Sequence, residues 1–490
     1  MLAGKTRPQA QRLRSETKGC IRTAGCPRKR LAESASTMTQ SSHLNRTLSR
    51  RELLRFGSIT AGGLTLPELL SANETARTKR LAPRCDSIII IHLNGGPSHL
   101  DMWDMKPEAP AETRGEFQSI SSSLPGISVC EHLPRLSKHM HQATLVRSMN
   151  HSVNNAHAAA VYVSLTGHDR GEIGGGARPT DRPHPGAVCS LLRPSPPGVV
   201  PHAVLPYMTK EGAKGPPQPG FFAGIMGRGY DPLWILKDPN SLDFSVPEFS
   251  LQQDVSAERL SARGELLTGL NARLVNREGF DAMNRFQGQA AQILTSSATQ
   301  NAFRIEQEPD AIRDNYGRNI YGQSVLLARR LIEAGTRIAT VSWAPDANAT
   351  WDTHSSNFNK LKGSLLPQFD LACSGLIEDL DQRGMLDRTM IAVLGDFGRT
   401  PKINNNDAGR DHWNFCYTLM MIGGGFRQGF VYGASDKIGA FPADLPMTPG
   451  DLIATVYHLL GIDHRRELYD RLGRPHQIIT SGTIKHELLS

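Results

Sequence analysis

Two short apolar runs rich in β-branched residues, Arg337-Ile-Ala-Thr-Val-Ser-Trp343 and Thr389-Met-Ile-Ala-Val-Leu394, read as buried strands rather than helix segments. A third, Asp86-Ser-Ile-Ile-Ile-Ile-His-Leu93, opens a folded domain at Cys85. Between them the pattern turns helical. Residues 250–334 are mostly helical, ending in Gln323-Ser-Val-Leu-Leu-Ala-Arg-Arg-Leu-Ile-Glu333 with a stop at Ala334-Gly335. A helix over 364–383 stops at Gly384, and Thr448-Pro449-Gly450-Asp451 opens another with an N-cap, a first-position proline and an acidic first turn. An Ala-rich helix following His157 ends at Leu165-Thr166-Gly167, and its N-terminus suits an anionic substrate. Helices alternating with apolar strands predict an α/β fold with a mostly parallel central sheet flanked by helices.

The predicted organisation is one α/β domain over residues 85–475, with a helical insertion near 250–334 and a C-terminal tail at 476–490. Gly, Pro and Arg dominate from Gly171 to Gly229, as in Gly215-Pro-Pro-Gln-Pro-Gly220, which reads as ordered loops framing a cleft. No repeat or coiled coil is present in the pattern.

Charge alters the picture at one end only. Residues 1–51 carry twelve Lys or Arg against two Glu, whereas the whole chain is +8, so the remainder is slightly acidic and carries no nucleic-acid footprint. Ser49-Arg50-Arg51-Glu52-Leu53-Leu54-Arg55 runs into a moderately apolar stretch from Phe56 to Leu70, which looks like a twin-arginine export signal over 38–76. Pro67 and Glu68 interrupt that stretch, so no stable transmembrane span is expected, and Ser71, Ala72 and Ala76 offer a cleavage region. Residues 1–37 read as a disordered leader or as a start assigned upstream of Met38. The seven cysteines form no C-x-x-C pair; Cys373 falls on an apolar helical face with Phe369, Leu376 and Leu380 as a small buried thiol.

Three polar clusters carry the chemistry: Trp351-Asp352-Thr353-His354, Gly395-Asp396-Phe397-Gly398-Arg399-Thr400 and Gly409-Arg410-Asp411-His412-Trp413. Asp396 stands just beyond one apolar run and Asp352 in the loop after another, the end of an open α/β sheet where ligands collect. Their carboxylates with His354 and His412 suit a divalent metal, or two ions about 3.5–4 Å apart, with zinc and manganese better matched to histidine than calcium and the choice left open. Asn94-Gly95-Gly96-Pro97-Ser98-His99-Leu100-Asp101 follows the first strand and adds His99, Asp101 and Asp104 as further ligand candidates. Gly95 and Gly96 allow a tight turn and close backbone approach.

Together with the twin arginines, these motifs resemble the exported bacterial family catalogued as domain of unknown function 1501, similar to the alkaline phosphatase and sulfatase superfamily. The resemblance runs from Arg50 to about Pro475, and Asp451-Leu-Ile-Ala-Thr455 with Leu460-Gly461 looks like that superfamily's closing helix. It implies that Asp352, His354 and His412 bind one metal and Asp396 another. Two departures stand out: Phe397 follows Asp396 where the superfamily commonly has histidine, and counting back from Thr166-Gly167 reaches His157 where sulfatases present a nucleophile.

The expected activity is hydrolysis of phosphate or sulfate esters, glycan esters included, by an exported metal-dependent enzyme. His157 or His151 would serve as proton donor, and Arg399 or Arg410 would hold the anion. The alternative is a non-catalytic periplasmic or cell-surface binding protein that keeps the fold. Either would meet the twin-arginine export machinery and an anionic ligand, with no nucleic acid as partner.

Overall fold

The strand that opens the domain, Ser87–Leu93 (β1), is buried along its whole length and organises both layers of the molecule. In this computed structural model residues 81–246, 257–272 and 278–490 are described, so the leader and export signal expected over 1–76 lie outside the described residues. Successive β1 side chains point to opposite faces. Ile89, Ile91 and Leu93 enter one core, and Ile88 and Ile90 the other.

The other sheet strands are Ala143–Met149 (β2), His202–Leu205 (β3), Leu233–Trp234 (β4), Ile338–Ser342 (β5), Thr389–Gly395 (β6), Tyr417–Gly423 (β7) and Phe430–Tyr432 (β8). Their order across the sheet is β8-β2-β7-β6-β1-β5-β3-β4. β1 pairs in parallel with β5 and β6, while β7 runs antiparallel to both β6 and β2. That one reversal matters for chemistry. It brings the segment entering β7 to the edge where β1, β5 and β6 end, so His412 arrives beside residues that leave those strands.

Helices cover both faces, as buried parallel strands require. His157–Thr166 (α1), Pro185–Leu192 (α2) and Pro449–Leu459 (α7) share a core with Ile88 and Ile90. Ile320–Glu333 (α5) and Leu366–Gln382 (α6) share the other with Ile89 and Ile91, and Cys373 is buried there. Ala257–Ala272 (α3) and Glu278–Thr295 (α4) lie within the stretch expected to be helical. Among the described residues no helix is long and apolar enough to cross a membrane.

Local chemistry explains the element ends. Ala158, Ala159 and Ala160 carry no bulk, so α1 lies close to the sheet, where Ser164 Oγ donates to Gly395 O at 2.8 Å. α1 stops at Gly167, whose φ of 71° satisfies a left-handed C-cap. Thr448 caps α7 in a reciprocal box with Asp451. The stretch expected as a tail beyond 475 instead packs on the domain: Ile478, Ile479 and Leu488 are buried, and Ser490 N donates to Gly425 O at 3.1 Å. Apolar residues spaced too irregularly for a helix or strand still fill a groove beside α7.

His168, 6% exposed with Nε2 2.8 Å from Ile478 O, is held neutral by burial, which pushes its pKa down to about 4. Its contribution to stability is therefore complete above pH 6.5 and is lost as pH falls from 6.5 toward 4, where the unfolded chain takes up a proton that the folded chain refuses. One such proton is worth on the order of 1 kcal/mol per pH unit. Urea denaturation at pH 7, 6 and 5 should show a shallower pH dependence for His168→Gln than for the wild type.

Candidate metal centre

Every polar cluster singled out in the sequence reaches the same end of the sheet. Asn94-Gly95-Gly96 leaves β1, Asp352 follows β5, Asp396 follows β6, His157 starts α1 after β2, and His412 precedes β7. The loops fit because glycine lets them touch. A Cβ on Gly95, which has φ +110°, would lie 2.4 Å from Asp352 N, and one on Gly409 would lie 1.8 Å from His354 O.

Asp352 Oδ1 is the hub. It lies 3.2 Å from His354 Nε2, 3.5 Å from His412 Nε2, 3.5 Å from His157 Nε2 and 2.6 Å from Arg399 Nη2. His354 Nε2 and His412 Nε2 are 2.9 Å apart. Each imidazole is held from its far side. His157 Nδ1 meets Asp396 Oδ2 at 2.7 Å, His354 Nδ1 meets Asp411 Oδ1 at 2.8 Å, and His412 Nδ1 meets Asn154 O at 3.0 Å. His157, Asp352 and His412 are a group whose donor atoms could hold a metal ion. His157 is 6% exposed and its Nε2 has no hydrogen-bond partner, so a buried polar atom faces the centre unsatisfied.

Electrostatics follow from this arrangement. Burial works against charge on His157, yet Asp352 and Asp396 outweigh it and raise its pKa to about 9. Burial likewise opposes ionisation of Asp352, but His157, His412 and Arg399 hold its carboxyl far below the usual range. Burial lowers His412 and His151. The cluster thus draws positive charge inward, as a proton or as a metal cation.

Other expected site residues are engaged elsewhere. Asp396 is fully buried, and its two oxygens accept from Gly95 N at 2.9 and 3.2 Å as well as from His157, so it stands behind the donors rather than among them. Asp101 does not join the cluster: it is fully buried in a bidentate pair with Arg410 at 2.8 and 2.9 Å and also accepts from Ser98 and Asn357. His99 meets Gly439 O, and Asp104 pairs with Lys106 and Arg147. His151 accepts from Val153 N at 3.1 Å and donates to Asp396 O at 2.7 Å, so both ring nitrogens are used.

The two arginines differ most from expectation. Arg399 is fully buried and donates to Gly95 O, Gly96 O, Trp351 O, Arg410 O and Asp352. Arg410 adds Thr400 O, Pro401 O and Thr113 O to its pairing with Asp101. Neither guanidinium is available to a ligand. Their motif context marked them as special, but only tertiary structure reveals that loop carbonyls consume their donors.

A family model described as protein of unknown function (DUF1501) matches residues 85–489. The chain belongs to that family. Among curated proteins none matches this DUF1501 chain. Solved structures similar to it include the phosphonate monoester hydrolase SpPMH from Silicibacter pomeroyi, with 13% identity, TM-score 0.36 and coverage of 82% of this chain and 76% of that one. The PsFucS1 sulfatase from Pseudoalteromonas sp. has 11% identity, TM-score 0.35 and coverage of 86% and 75%. Ps i-CgsB in complex with k-i-k-neocarrahexaose has 13% identity, TM-score 0.37 and coverage of 81% and 75%.

Sequence reasoning missed two supports of this DUF1501 site. Asp411 lies inside a quoted motif, one residue from His412, and that adjacency was the available signal. Asn154 contributes a backbone carbonyl, which no side-chain pattern reveals. Phe397, fully buried, packs its ring 5.1 Å from His157 and 4.3 Å from His412, backing both imidazoles.

Arg410→Met should lower stability by about 3–5 kcal/mol, because it strands the Asp101 carboxylate in the interior. Adding Asp101→Leu should recover part of that loss in urea denaturation, since the double variant leaves no buried charge unpaired.

Proposed function

We propose that the protein is an exported, divalent-metal-dependent hydrolase of phosphate or sulfate esters. The observation that carries the metal is the unsatisfied His157 Nε2 facing Asp352, with His354 and His412 on the same carboxylate oxygen. Such a donor set fits a zinc-class or manganese-class ion. The ester class rests on the resemblance of the motifs to the alkaline phosphatase and sulfatase superfamily. Export rests on Arg50-Arg51 and the apolar stretch after them.

A divalent ion bound there would supply Lewis acidity and a lowered water pKa. The chain's own residues do the rest. Asp396, Asp411 and Asn154 O each accept from a histidine Nδ1, so that with a cation in place of a proton every Nε2 would present its lone pair inward. Phe397 closes the rear of the site against water. His354 and Asp411, with side chains 41% and 56% exposed, lie on the open side from which an ester would approach.

One observation favours a second reading, a metal-holding binding protein without turnover: Arg410 has no donor left for an anion, and Arg399 is fully buried among loop carbonyls. Elemental analysis of the purified mature protein, together with a screen of phosphate and sulfate esters, separates the two. The hydrolase reading expects bound metal and turnover that Asp352→Ala abolishes and the surface control Leu472→Ser preserves. Bound metal with no turnover on any ester would leave the binding protein standing.

A further inference from the structure

We infer that the centre is mononuclear: one zinc-class ion held by His157 Nε2, His354 Nε2, His412 Nε2 and Asp352 Oδ1, with Asp396 and Asp411 as positioning residues outside the ligand set. The inference rests on the metal dependence proposed above and deepens it. It also changes the role of His157, from a proton donor to a ligand.

Asn154 O can only accept, so His412 carries its proton on Nδ1 and presents a lone pair at Nε2. The Asp396 and Asp411 carboxylates accept in the same way from Nδ1 of His157 and His354. Bonded in this way, His354 and His412 can turn an Nε2 lone pair toward the Asp352 oxygen, and His157 Nε2 does the same when a cation takes the place of its proton. His354 Nε2 and His412 Nε2, 2.9 Å apart, would repel without a cation between them. A shared proton would satisfy that one pair, and a second, on His157 Nε2, would face Asp352 Oδ1 at 3.5 Å; a single divalent cation takes the place of both.

Size agrees with this. Four of the six donor separations are 2.9 Å between His354 and His412 and 3.2, 3.5 and 3.5 Å from the histidines to Asp352; His157, Asp352 and His412 form the compact set, which His354 joins from the rim through Asp352 and His412. A tetrahedron around zinc, with bonds of about 2.0–2.2 Å, has edges of about 3.3–3.6 Å. The oxygen-rich shell of six to eight ligands that calcium takes has no counterpart here.

Charge calls for only one ion, and space argues against a second. Asp352, Asp396 and Asp411 bring three negative charges, Arg399 returns one positive, and a single divalent ion balances the remainder. Asp396 is fully buried with Gly95 N on both oxygens and His157 on one. Its sequence neighbour is the Phe397 ring, packed against two of the three imidazoles. No second donor set is left on that side.

The test is metal stoichiometry on the wild type, stripped with chelator and reloaded separately with zinc and cobalt(II). One ion per chain is expected, with the intense visible absorption of four-coordinate cobalt. His354→Ala, at the exposed rim, and His157→Ala should each change that spectrum; far-UV circular dichroism checks that both are folded. Asp396→Asn keeps an oxygen that can accept from His157 Nδ1, so it should retain the cobalt spectrum while affinity falls roughly 10–100-fold. Asp396→Ala should lose more. Two ions per chain, a weak six-coordinate spectrum, or a spectrum untouched in folded His157→Ala and His354→Ala would overturn the mononuclear centre. One ion without ester turnover would remove the hydrolase and keep the centre; two ions with turnover would do the reverse.

Discussion

The Arg399 guanidinium, buried beneath the site, is the constraint on which the rest of the arrangement depends. It reaches the loop after β1 through Gly95 O and Gly96 O, the loop after β5 through Trp351 O and Asp352, and the loop before β7 through Arg410 O. A buried cation of this kind is tolerable only when each donor is answered. Here the answering groups belong to three loops far apart in sequence, so satisfying one charge fixes the relative position of all three. The Asp352 carboxylate is oriented as a by-product. Arg410 repeats the device one layer further out, joining Asp101 to the carbonyls of Thr400, Pro401 and Thr113.

Sheet topology and loop chemistry divide the work. The parallel strands deliver backbone ends to a common edge, which places residues within several ångströms of one another. Close contact is finer. It depends on Gly95 and Gly409, where a side chain would collide with the Asp352 and His354 backbone, and on Phe397 filling the space behind the imidazoles. Rigid strands set the frame, and small or flat residues set the fit.

Much of the frame was legible in sequence because it is written in local patterns. The runs ending near Trp343 and Leu394 became β5 and β6, the periodic stretch after 364 became α6, and Thr448 caps α7 with the proline and aspartate that announced it. The convergence of Asp352 and Asp396 followed from strand ends, with His412 joining from the loop after Thr400. The division of labour among charged residues did not. Asp101 and Asp396 each follow a strand and look equally suited to a metal, yet one faces a buried arginine and the other a histidine Nδ1. Which partner a carboxylate meets is decided by loops that carry no periodicity. The same holds for residues 476–490, whose isolated apolar side chains gave no period and yet fill a groove.

The antiparallel strand β7 has a further consequence. It draws His412 from late in the chain to meet His157 from early in it, with Asp352 between, so the site closes two long loops at a single point. Cys85, Cys130, Cys189, Cys373 and Cys416 are all free and buried, and no disulfide does this work among the described residues. A cation bound by these side chains would act as the molecule's cross-link, a staple set by chelation instead of oxidation, and indifferent to the redox state of the compartment in which the chain folds.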